Sequence, residues 1–505
     1  MKDRSMKAYF SQGLFGRDLL GSIVVFLVAL PLCMGIAIAS GMPPATGLIT
    51  GIIGGLLVGF LAGSPLQVSG PAAGLAVLVF ELVQRYGVAA LGPVVLLAGL
   101  IQVAAGLCRV GIWFRMTSPA VVSGMLSGIG ILIVASQAHV MLDAKPLARG
   151  LENFAAFPGA VAQAVQGPGL SALCVGLATI AIMVGWEKLR PGKLRFVPGA
   201  LLAVVAVTAT VQVFGIPVLL VDVPHSLASA ITLPTMGSLR GLLDENLLVA
   251  AVTFAFIASA ETLLSAAAVD RMHDGERTKY DRELAAQGVG NMLCGLLGAL
   301  PMTGVIVRSA ANVQAGSATR AAAILHGAWL LVFAMLLPWL LNMTPVSCLA
   351  GILVFTGIKM VKIRQVKELA AYGKGTAVVY VATTVAIVAT DLLEGVIIGF
   401  GLSLLRLALL SSRLNAHLHE HDEPGHATFA LKGSATFLQV PAMARKLEAV
   451  PSNTKVTVNI DELRHVDHAS LELLREWERN ALSRGIEVVL DWKQLDERVE
   501  GRKVA

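Results

Sequence analysis

The stretch Val68-Ser69-Gly70-Pro71-Ala72-Ala73-Gly74 opens an apolar segment, at about residues 71–84, that is too short to cross a bilayer as a helix. A second short segment, at about 307–319, begins near Thr303-Gly304 and carries Arg308-Ser309-Ala310-Ala311-Asn312. Proline suits the first turn of a helix, and serine is a common helix cap. We therefore predict that each stretch leads into a half-helix that begins within the membrane, with Pro71 at its first position and Ser69 as its cap.

Twelve longer apolar stretches flank these two, each near the 20 residues that span a bilayer core of about 30 Å. They lie at about 19–39, 45–63, 91–109, 119–138, 169–186, 198–216, 247–268, 283–300, 322–341, 344–361, 374–390 and 393–410. The short segments are then the third of the first seven and the third of the second seven. Because seven is odd, the second set runs with opposite topology, which predicts an inverted repeat of broken helices. The alternative is two ordinary helices with indistinct ends.

The composition agrees with a membrane protein. Of the 505 residues, 55% are hydrophobic and 14% charged, whereas soluble proteins carry about 25% charged residues. We assign residues 1–411 to a transmembrane transport domain and expect no nucleic-acid partner, because the net charge of +6 resides in short loops between apolar segments.

The distribution of basic residues predicts the orientation. Loops on the side of the N-terminus carry Lys and Arg repeatedly, for example Lys2, Lys188 and Lys359, whereas the opposite loops carry only Arg85, Lys145, Arg149 and Arg240. Positive loops remain in the cytoplasm. We predict a multi-pass protein of the cytoplasmic (inner) membrane with both termini in the cytoplasm.

The sequence changes character after residue 411. Residues 412–426 predict a polar linker, and residues 427–505 a small soluble α/β domain. Val456–Ile460 alternates like a strand, Ala469–Leu482 has apolar residues at helical spacing, and Ile486–Leu490 is a second apolar strand. This β-α-β order predicts an α-helical membrane protein with a small cytoplasmic α/β domain.

The two half-helix starts form the predicted anion site. A helix N-terminus carries about half a positive charge and free N–H donors, which suits an anion. We predict that the anion is bound by Ser69, Gly70, Pro71, Ala72, Ala73, Val307, Arg308 and Ser309. A charged residue inside the membrane costs at least ~2.5 kcal/mol and usually marks a transport pathway. The alternative is that Arg308 pairs with a carboxylate only to join helices.

Glu261 is the carboxylate most suited to either role. It lies in the middle of its apolar segment, on a small polar face shared with Ala258, Thr262 and Ser265. An ionised carboxylate beside an anion repels it, and binding of H⁺ or Na⁺ removes the repulsion. We predict cation coupling through Glu261 and Thr262, with no cofactor other than a bound Na⁺. The alternative is a structural hydrogen bond.

Other residues predict neither catalysis nor a metal site. The chain contains no Walker sequence, no GxGxxG and no nucleophile elbow, so nothing favours an ATP-driven pump or an enzyme. The five cysteines have no metal-ligand spacing. Gln287 and Asn291, four residues apart, we expect to join helices. His139 and His326 we expect at the membrane interface.

Several stretches resemble the sulfate permease (SulP) family, which includes the prestin-like SLC26 anion carriers. They are Leu30-Pro31 with Ile38-Ala39-Ser40-Gly41; Val68-Ser69-Gly70-Pro71; Glu261-Thr262-Leu263-Leu264-Ser265; Glu283-Leu284-Ala285-Ala286-Gln287-Gly288 with Asn291; Pro301-Met302-Thr303-Gly304; and Arg308-Ser309 followed by Asn312-Val313-Gln314-Ala315-Gly316. They occur in the family's order over nearly the whole membrane part. The C-terminal part resembles the family's STAS domain, a four-stranded sheet with helices, through Val458-Asn459-Ile460-Asp461 and Val466-Asp467-His468-Ala469-Ser470.

This resemblance implies fourteen segments in a 7+7 inverted repeat with core and gate subdomains, elevator-type movement, and a homodimer. It also implies an anion held between the third and tenth segments. Two positions depart from many sulfate carriers, since Leu32 replaces a glutamine and Ile36 an aromatic residue. In the STAS signature, His468 replaces a phosphorylatable serine, although Ser470 remains.

Together these observations predict a secondary active transporter of an inorganic anion of the sulfate or bicarbonate class, coupled to H⁺ or Na⁺ as a symporter. Fewer donors in the pocket suit bicarbonate or chloride at least as well as sulfate. The alternatives are an uncoupled anion channel and an anion exchanger, for example of chloride for bicarbonate.

Overall fold

The computed structural model describes residues 14–111, 118–147, 149–167, 169–189, 197–224, 226–361, 363–371, 374–390, 392–411, 414–420, 425–436 and 439–499. Lys2, used above for orientation, and parts of the predicted linker lie outside these residues. The chain divides into two compact units, Met1–Gly399 and Phe400–Ala505. The division falls within the last apolar helix, twelve residues before the boundary at 411 that we predict from the sequence.

Helices dominate the first unit and continue to residue 411. They are α1 (Leu14–Ala39), α2 (Pro44–Leu61), α3 (Ala76–Tyr86), α4 (Leu91–Leu107), α5 (Pro119–Val140), α6 (Gly150–Val165), α7 (Gly169–Leu189), α8 (Gly199–Phe214), α9 (Met236–Arg240), α10 (Glu245–Asp270), α11 (Tyr280–Leu296), α12 (Ile306–Gln314), α13 (Ala321–Leu336), α14 (Pro338–Asn342), α15 (Val346–Met360), α16 (Ile363–Ala371), α17 (Lys374–Ala389) and α18 (Leu392–Ser411). Two short strands, β1 (Ser69–Pro71) and β2 (Met302–Gly304), precede α3 and α12.

The predicted apolar segments all fall on helices, and seven helices in the described ranges have the length and composition of complete spans. Helix α6 was not anticipated. Its 16 residues extend only about 24 Å, less than a bilayer core. It lies between α5 and α7 in the chain and packs against both.

The spans pack as two groups. In the first, α4 packs against α10 and α11, and α1 packs against α2 and α13. In the second, α5 packs against α15 and α17, and α7 packs against α8 and α15. Helix α1 also contacts α8 and α15, so that it lies between the groups. The first group contains the first four segments of each half of the chain, which is the arrangement of core and gate subdomains in an inverted repeat.

The two repeats meet at an antiparallel pair of strands. Ser69 lies opposite Gly304, Gly70 opposite Thr303, and Pro71 opposite Met302. Helix α3 begins only at Ala76, after a 3₁₀ turn at Ala73–Leu75. The prediction that Pro71 starts a helix is therefore wrong. Pairing with a strand more than 230 residues away satisfies this backbone instead, and proline tolerates a strand edge.

Buried polar side chains of α11 brace the crossing strands, among them Gln287 and Asn291, which we expect from the sequence to join helices. The Asn291 amide donates to the Met302 carbonyl at 3.1 Å, and its oxygen accepts from the Met302 N–H at 2.7 Å. Gln287 donates to the hydroxyl of Ser69, which accepts this bond and is not a helix cap. Glu283, wholly buried, accepts hydrogen bonds from the N–H groups of Gly63 and Ser64 at 2.8 and 2.9 Å. These bonds satisfy backbone that a broken helix leaves exposed within the membrane.

The second unit contains a five-stranded sheet in its described residues. Its elements are β3 (Leu414–Glu420), β4 (His426–Ala435), α19 (Val440–Glu448), β5 (Lys455–Asn459), β6 (Leu463–Val466), α20 (His468–Ser483), β7 (Glu487–Val489) and α21 (Trp492–Val499). The strand order is β3-β4-β5-β7, with β6 also paired to β4.

This sheet confirms the predicted α/β class and corrects one detail. Strand β3 lies in the segment that we predict as a linker, and it pairs antiparallel with β4 from Leu414 to Glu420. It also makes the sheet larger than the four strands implied by the resemblance. The segment has few apolar residues, so its sequence gave a weak strand signal, and the pairing with β4 is a tertiary effect.

Replacing Glu283 with alanine is expected to lower the melting temperature of the detergent-solubilised protein. The change leaves the buried N–H groups of Gly63 and Ser64 unsatisfied, at a cost of about 1–3 kcal/mol each. Glu276→Ala is the control, because its side chain is 56% exposed in a surface pair with Lys279 and should matter little. Equal melting temperatures for the two variants would contradict a bracing role.

A chain that ends at Ser411 is expected to remain folded and to bind anion, because the membrane core and the candidate site both precede that residue. A cut at 427, by contrast, would leave β3 without its partner strand. Thermal stabilisation by potassium sulfate or potassium bicarbonate, measured on the full and shortened chains, checks this. Loss of that stabilisation in a monodisperse shortened protein would refute it.

Candidate functional site

A cavity of about 1220 Å³ separates the two groups of helices. Leu32 and Ile36 of α1, Ala73 before α3, and Val307 and Arg308 of α12 line its inner part together with Glu261 of α10. Ile352 and Phe355 of α15 face it from the second group. The cavity therefore contacts both repeats and both groups, and it brings together four of the sequence-predicted residues: Ala73, Val307, Arg308 and Glu261.

Arg308 provides a buried positive charge at this site. It lies in the first turn of α12 and is wholly buried. Its Nε, Nη1 and Nη2 atoms make no hydrogen bond to any residue that the structure describes. A guanidinium carries five N–H donors, and leaving a buried charge unpaired is costly. Such a group is suited to a ligand that brings its own negative charge.

The alternative, a structural ion pair with Glu261, is not observed. Within the described ranges no carboxylate lies within salt-bridge distance of Arg308. Glu261 is half-buried and lines the same cavity. Its Oε2 atom is buried and has no hydrogen-bond partner among these residues. Two opposite charges thus border one cavity without neutralising each other.

The starts of the two half-helices add partial positive charge. Val305, the N-cap of α12, provides no side-chain cap, and neither does Ala72 before the turn at Ala73–Leu75. The first N–H groups of a helix lack partners in the helix itself. Uncapped starts therefore keep donors and a partial charge available for an anion.

Several predicted hydroxyl groups are engaged elsewhere. The hydroxyl of Ser309 accepts from the Val68 N–H at 2.9 Å and donates to the Val305 carbonyl at 2.7 Å. The hydroxyl of Thr262 accepts from the Gly304 N–H at 3.1 Å. Ser69 accepts from Gln287. These three residues hold the crossing strands in place, whereas Gly70 and Pro71 form the crossing itself; their roles toward an anion or a cation remain predictions.

Sequence reasoning missed two residues near the crossing. Gln67 donates to the carbonyl of Thr262 at 3.1 Å, across 195 residues of chain. His326, which we expect at the membrane interface, is wholly buried and interacts electrostatically with Arg308. His139 is also buried. The position of Gln67 directly before Val68-Ser69 was the available signal for its role; for the histidines no sequence signal indicated burial.

The mouth of the cavity is lined by charged residues. Arg271, His273 and Arg277 follow α10, and Lys359 pairs with Glu187 between α15 and α7. The inner wall formed by Leu32 and Ile36 is apolar by contrast. Both signs of charge therefore border the mouth of the cavity that leads to the buried guanidinium of Arg308.

Comparisons with known proteins agree with this architecture. The model of the family described as "Sulfate permease family" matches residues 15–383. The putative sulfate transporter YvdB of Bacillus subtilis is 27% identical over 483 residues, which cover 91% of this chain and 87% of that protein. The bicarbonate transporter BicA of Synechocystis is 25% identical over 478 residues, covering 89% and 83% respectively.

Solved structures show the same fold. The transmembrane domain of a cyanobacterial bicarbonate transporter BicA matches with a TM-score of 0.67 and 25% identity, over 75% of this chain and 97% of that one. Murine Solute Carrier 26 family member A9, an anion transporter in the inward-facing state, matches with a TM-score of 0.77 and 15% identity, over 99% and 91%. The relatives named here are transporters and not enzymes. The chain is a multi-pass membrane protein that belongs to the sulfate permease family.

Proposed function

We propose that this chain is a secondary active transporter of a small inorganic anion of the sulfate or bicarbonate class, coupled to H⁺ or Na⁺ through Glu261. The observation that carries the proposal is the buried, unpaired guanidinium of Arg308 at an uncapped half-helix start, in the same cavity as Glu261. The relatives that are named sulfate or bicarbonate transporters support the substrate class.

Arg308 and the two helix starts attract the anion in this proposal. The guanidinium supplies one full charge and the helix starts about half a charge each. An inorganic oxyanion accepts several hydrogen bonds at once, which suits the fork of N–H donors on arginine. The hydroxyls of Ser69, Thr262 and Ser309 act indirectly. Their hydrogen bonds hold in place the strands that position these donors.

Glu261 makes binding depend on a cation. When it is ionised, its negative charge lies beside the anion in a site where water screens little. A proton, or a Na⁺ held by the carboxylate and nearby oxygens, removes that repulsion. Anion affinity should therefore fall as pH rises at constant low Na⁺, and added Na⁺ should restore it if sodium is the coupling ion.

Movement between the two helix groups accounts for transport. The cavity lies between them, and its mouth carries Arg271, Arg277 and Lys359, which the positive-inside rule assigns to the cytoplasm. In the proposed cycle, the first group carries the anion past the second in an elevator motion within a homodimer of the cytoplasmic membrane.

The C-terminal unit is proposed to be a regulatory STAS domain. Its helix α20 begins after Asp467, whose carboxylate accepts the Ser470 N–H at 2.9 Å. Ser470 is wholly buried, so phosphorylation there would require local opening. The exposed residue at the position of the usual phosphorylation site is His468, with a side chain 79% exposed.

Arg308→Ala is expected to keep the protein folded and to weaken sulfate or bicarbonate binding at least tenfold. Loss of a charge-assisted contact costs about 1.5–3 kcal/mol. Titration calorimetry on the purified protein measures this, with Arg364→Ala as the control because the Arg364 side chain is 91% exposed. Unchanged affinity for both anions would remove Arg308 from the site.

Glu261→Gln is expected to abolish uphill uptake while anion-for-anion exchange persists, because glutamine resembles the protonated acid in shape and charge. Labelled sulfate and labelled bicarbonate uptake, with and without pH and Na⁺ gradients, is measured in one proteoliposome preparation. Glu276→Gln, at an exposed position, is the control.

The outcomes of this experiment separate the candidate functions. Gradient-driven accumulation that survives in Glu261→Gln would end the coupling role of Glu261. A parallel loss of exchange and uptake would indicate a structural hydrogen bond instead. Currents in the wild type that reverse at the Nernst potential of the anion would indicate an uncoupled channel.

A further inference from the structure

We propose that Gly70 and Gly74 are positioning residues, and that the three-residue segment between them links the anion site to the coupling carboxylate. The inference rests on the proposed function. Each glycine lies directly against one of the two charged side chains of the cavity: Gly70 against Arg308, and Gly74 against Glu261. A side chain at either position would occupy space that the charged group now fills.

Gly70 lies in strand β1, opposite Thr303. A Cβ atom built on it would stand 2.1 Å from Nη1 and 3.1 Å from Cζ of Arg308. Carbon atoms do not approach nitrogen so closely without a bond. A methyl group at position 70 would therefore displace the guanidinium of Arg308 toward the cavity that it lines. Glycine at position 70 therefore fixes where the cation of the anion site lies.

Gly74 lies in the turn Ala73–Leu75, four residues further on. A Cβ atom built on it would stand 2.8 Å from Oε2, and 3.2 Å from both Oε1 and Cδ, of Glu261. The carboxylate thus rests on the backbone of this turn. A cation that binds or leaves Glu261 changes the charge and the size of the group in contact with Gly74.

The segment between the two glycines is short and stiff. Pro71 has a fixed φ angle and is paired with Met302 in the crossing, while Ala73 lines the cavity. A displacement of the turn at Gly74 is therefore transmitted to Gly70 over three residues, and from there to Arg308. Coupling of this kind is reciprocal, so the anion should change cation affinity by the same factor.

Electrostatic repulsion alone makes a different prediction. A glycine-to-alanine change adds no charge, so if the backbone of Gly74 does not hold the Glu261 carboxylate in place, the change should leave the pH and Na⁺ dependence of anion binding unaltered. The positional link predicts that Gly74→Ala moves the Glu261 carboxylate and thereby shifts that dependence. The shift is a readout that a merely destabilised protein would not produce.

The first test asks whether a shorter acidic side chain at position 261, in Glu261→Asp, suppresses the effect of Gly74→Ala. Gly74→Ala is expected to shift the midpoint of the pH or Na⁺ dependence of sulfate and bicarbonate binding about tenfold in H⁺ or Na⁺ concentration, which corresponds to a coupling of about 1.4 kcal/mol. In a Glu261→Asp background, where the carboxylate ends one methylene earlier, the same change should shift it less than about threefold. Gly185→Ala is the matched control, because a Cβ atom there meets nothing within 4 Å.

The second test uses the arginine. Gly70→Ala is expected to weaken anion binding about tenfold or more, approaching Arg308→Ala. In the Arg308→Ala background, Gly70→Ala should weaken anion binding by less than about a further threefold. The guanidinium that the added methyl group would displace is absent there. If Gly70→Ala alone does not fold, recovery of monodisperse protein in the Arg308→Ala background supports the contact, and failure to recover overturns it.

The results also separate this inference from the proposed function. Silent Arg308→Ala and Glu261→Gln variants would end the proposed function itself. If those variants behave as expected but the glycine variants show wild-type midpoints, or effects that simply add to the arginine and glutamate changes, only the positional link is overturned.

Discussion

The structure depends on one unpaired charge, the guanidinium of Arg308, which is buried in a membrane protein without a partner among the described residues. A charged group in this setting persists only if its environment compensates it or if a ligand does so. The uncapped starts near Ala73 and Ile306 do not compensate it, because they add positive charge. In the proposed function an anion supplies the compensation, and the broken helices present donors to it.

Breaking two helices within a membrane exposes backbone groups that water cannot reach, and the fold has to satisfy them. The crossing strands do this for each other, and the side chains of Thr262, Asn291 and Ser309 complete it. This explains why hydroxyl and amide groups that look like ligands in the sequence are engaged in bracing. It also explains how Oε2 of Glu261 and the guanidinium of Arg308 have no hydrogen-bond partner among the described residues, since the bracing is carried by their neighbours.

Much of this could be predicted from local signals. Lengths of apolar runs located the spans, and the two short segments indicated the repeat. A lone arginine and glutamate in apolar surroundings indicated a candidate site, whose role remains a prediction. What failed depended on partners distant in the chain. By its local sequence Pro71 resembles a helix start, but in the fold it pairs with Met302 in a strand. Likewise Leu414–Glu420 resembles a linker, but it pairs with β4 in the sheet. The closeness of Gly70 to Arg308 is likewise a property of packing, which residue spacing does not contain.

In the proposed function, the charges of the site also bear on how tightly cation and anion transport are linked. With Glu261 ionised, the guanidinium and the two helix starts together exceed it by about one positive charge, which a monovalent anion such as bicarbonate can balance. A divalent anion such as sulfate leaves an excess negative charge unless Glu261 takes up a cation. The requirement for a cation should thus be stricter for sulfate. For bicarbonate, exchange without a cation is electrostatically less costly. In the proposed function, the charge of the substrate anion therefore sets the degree of coupling to a cation.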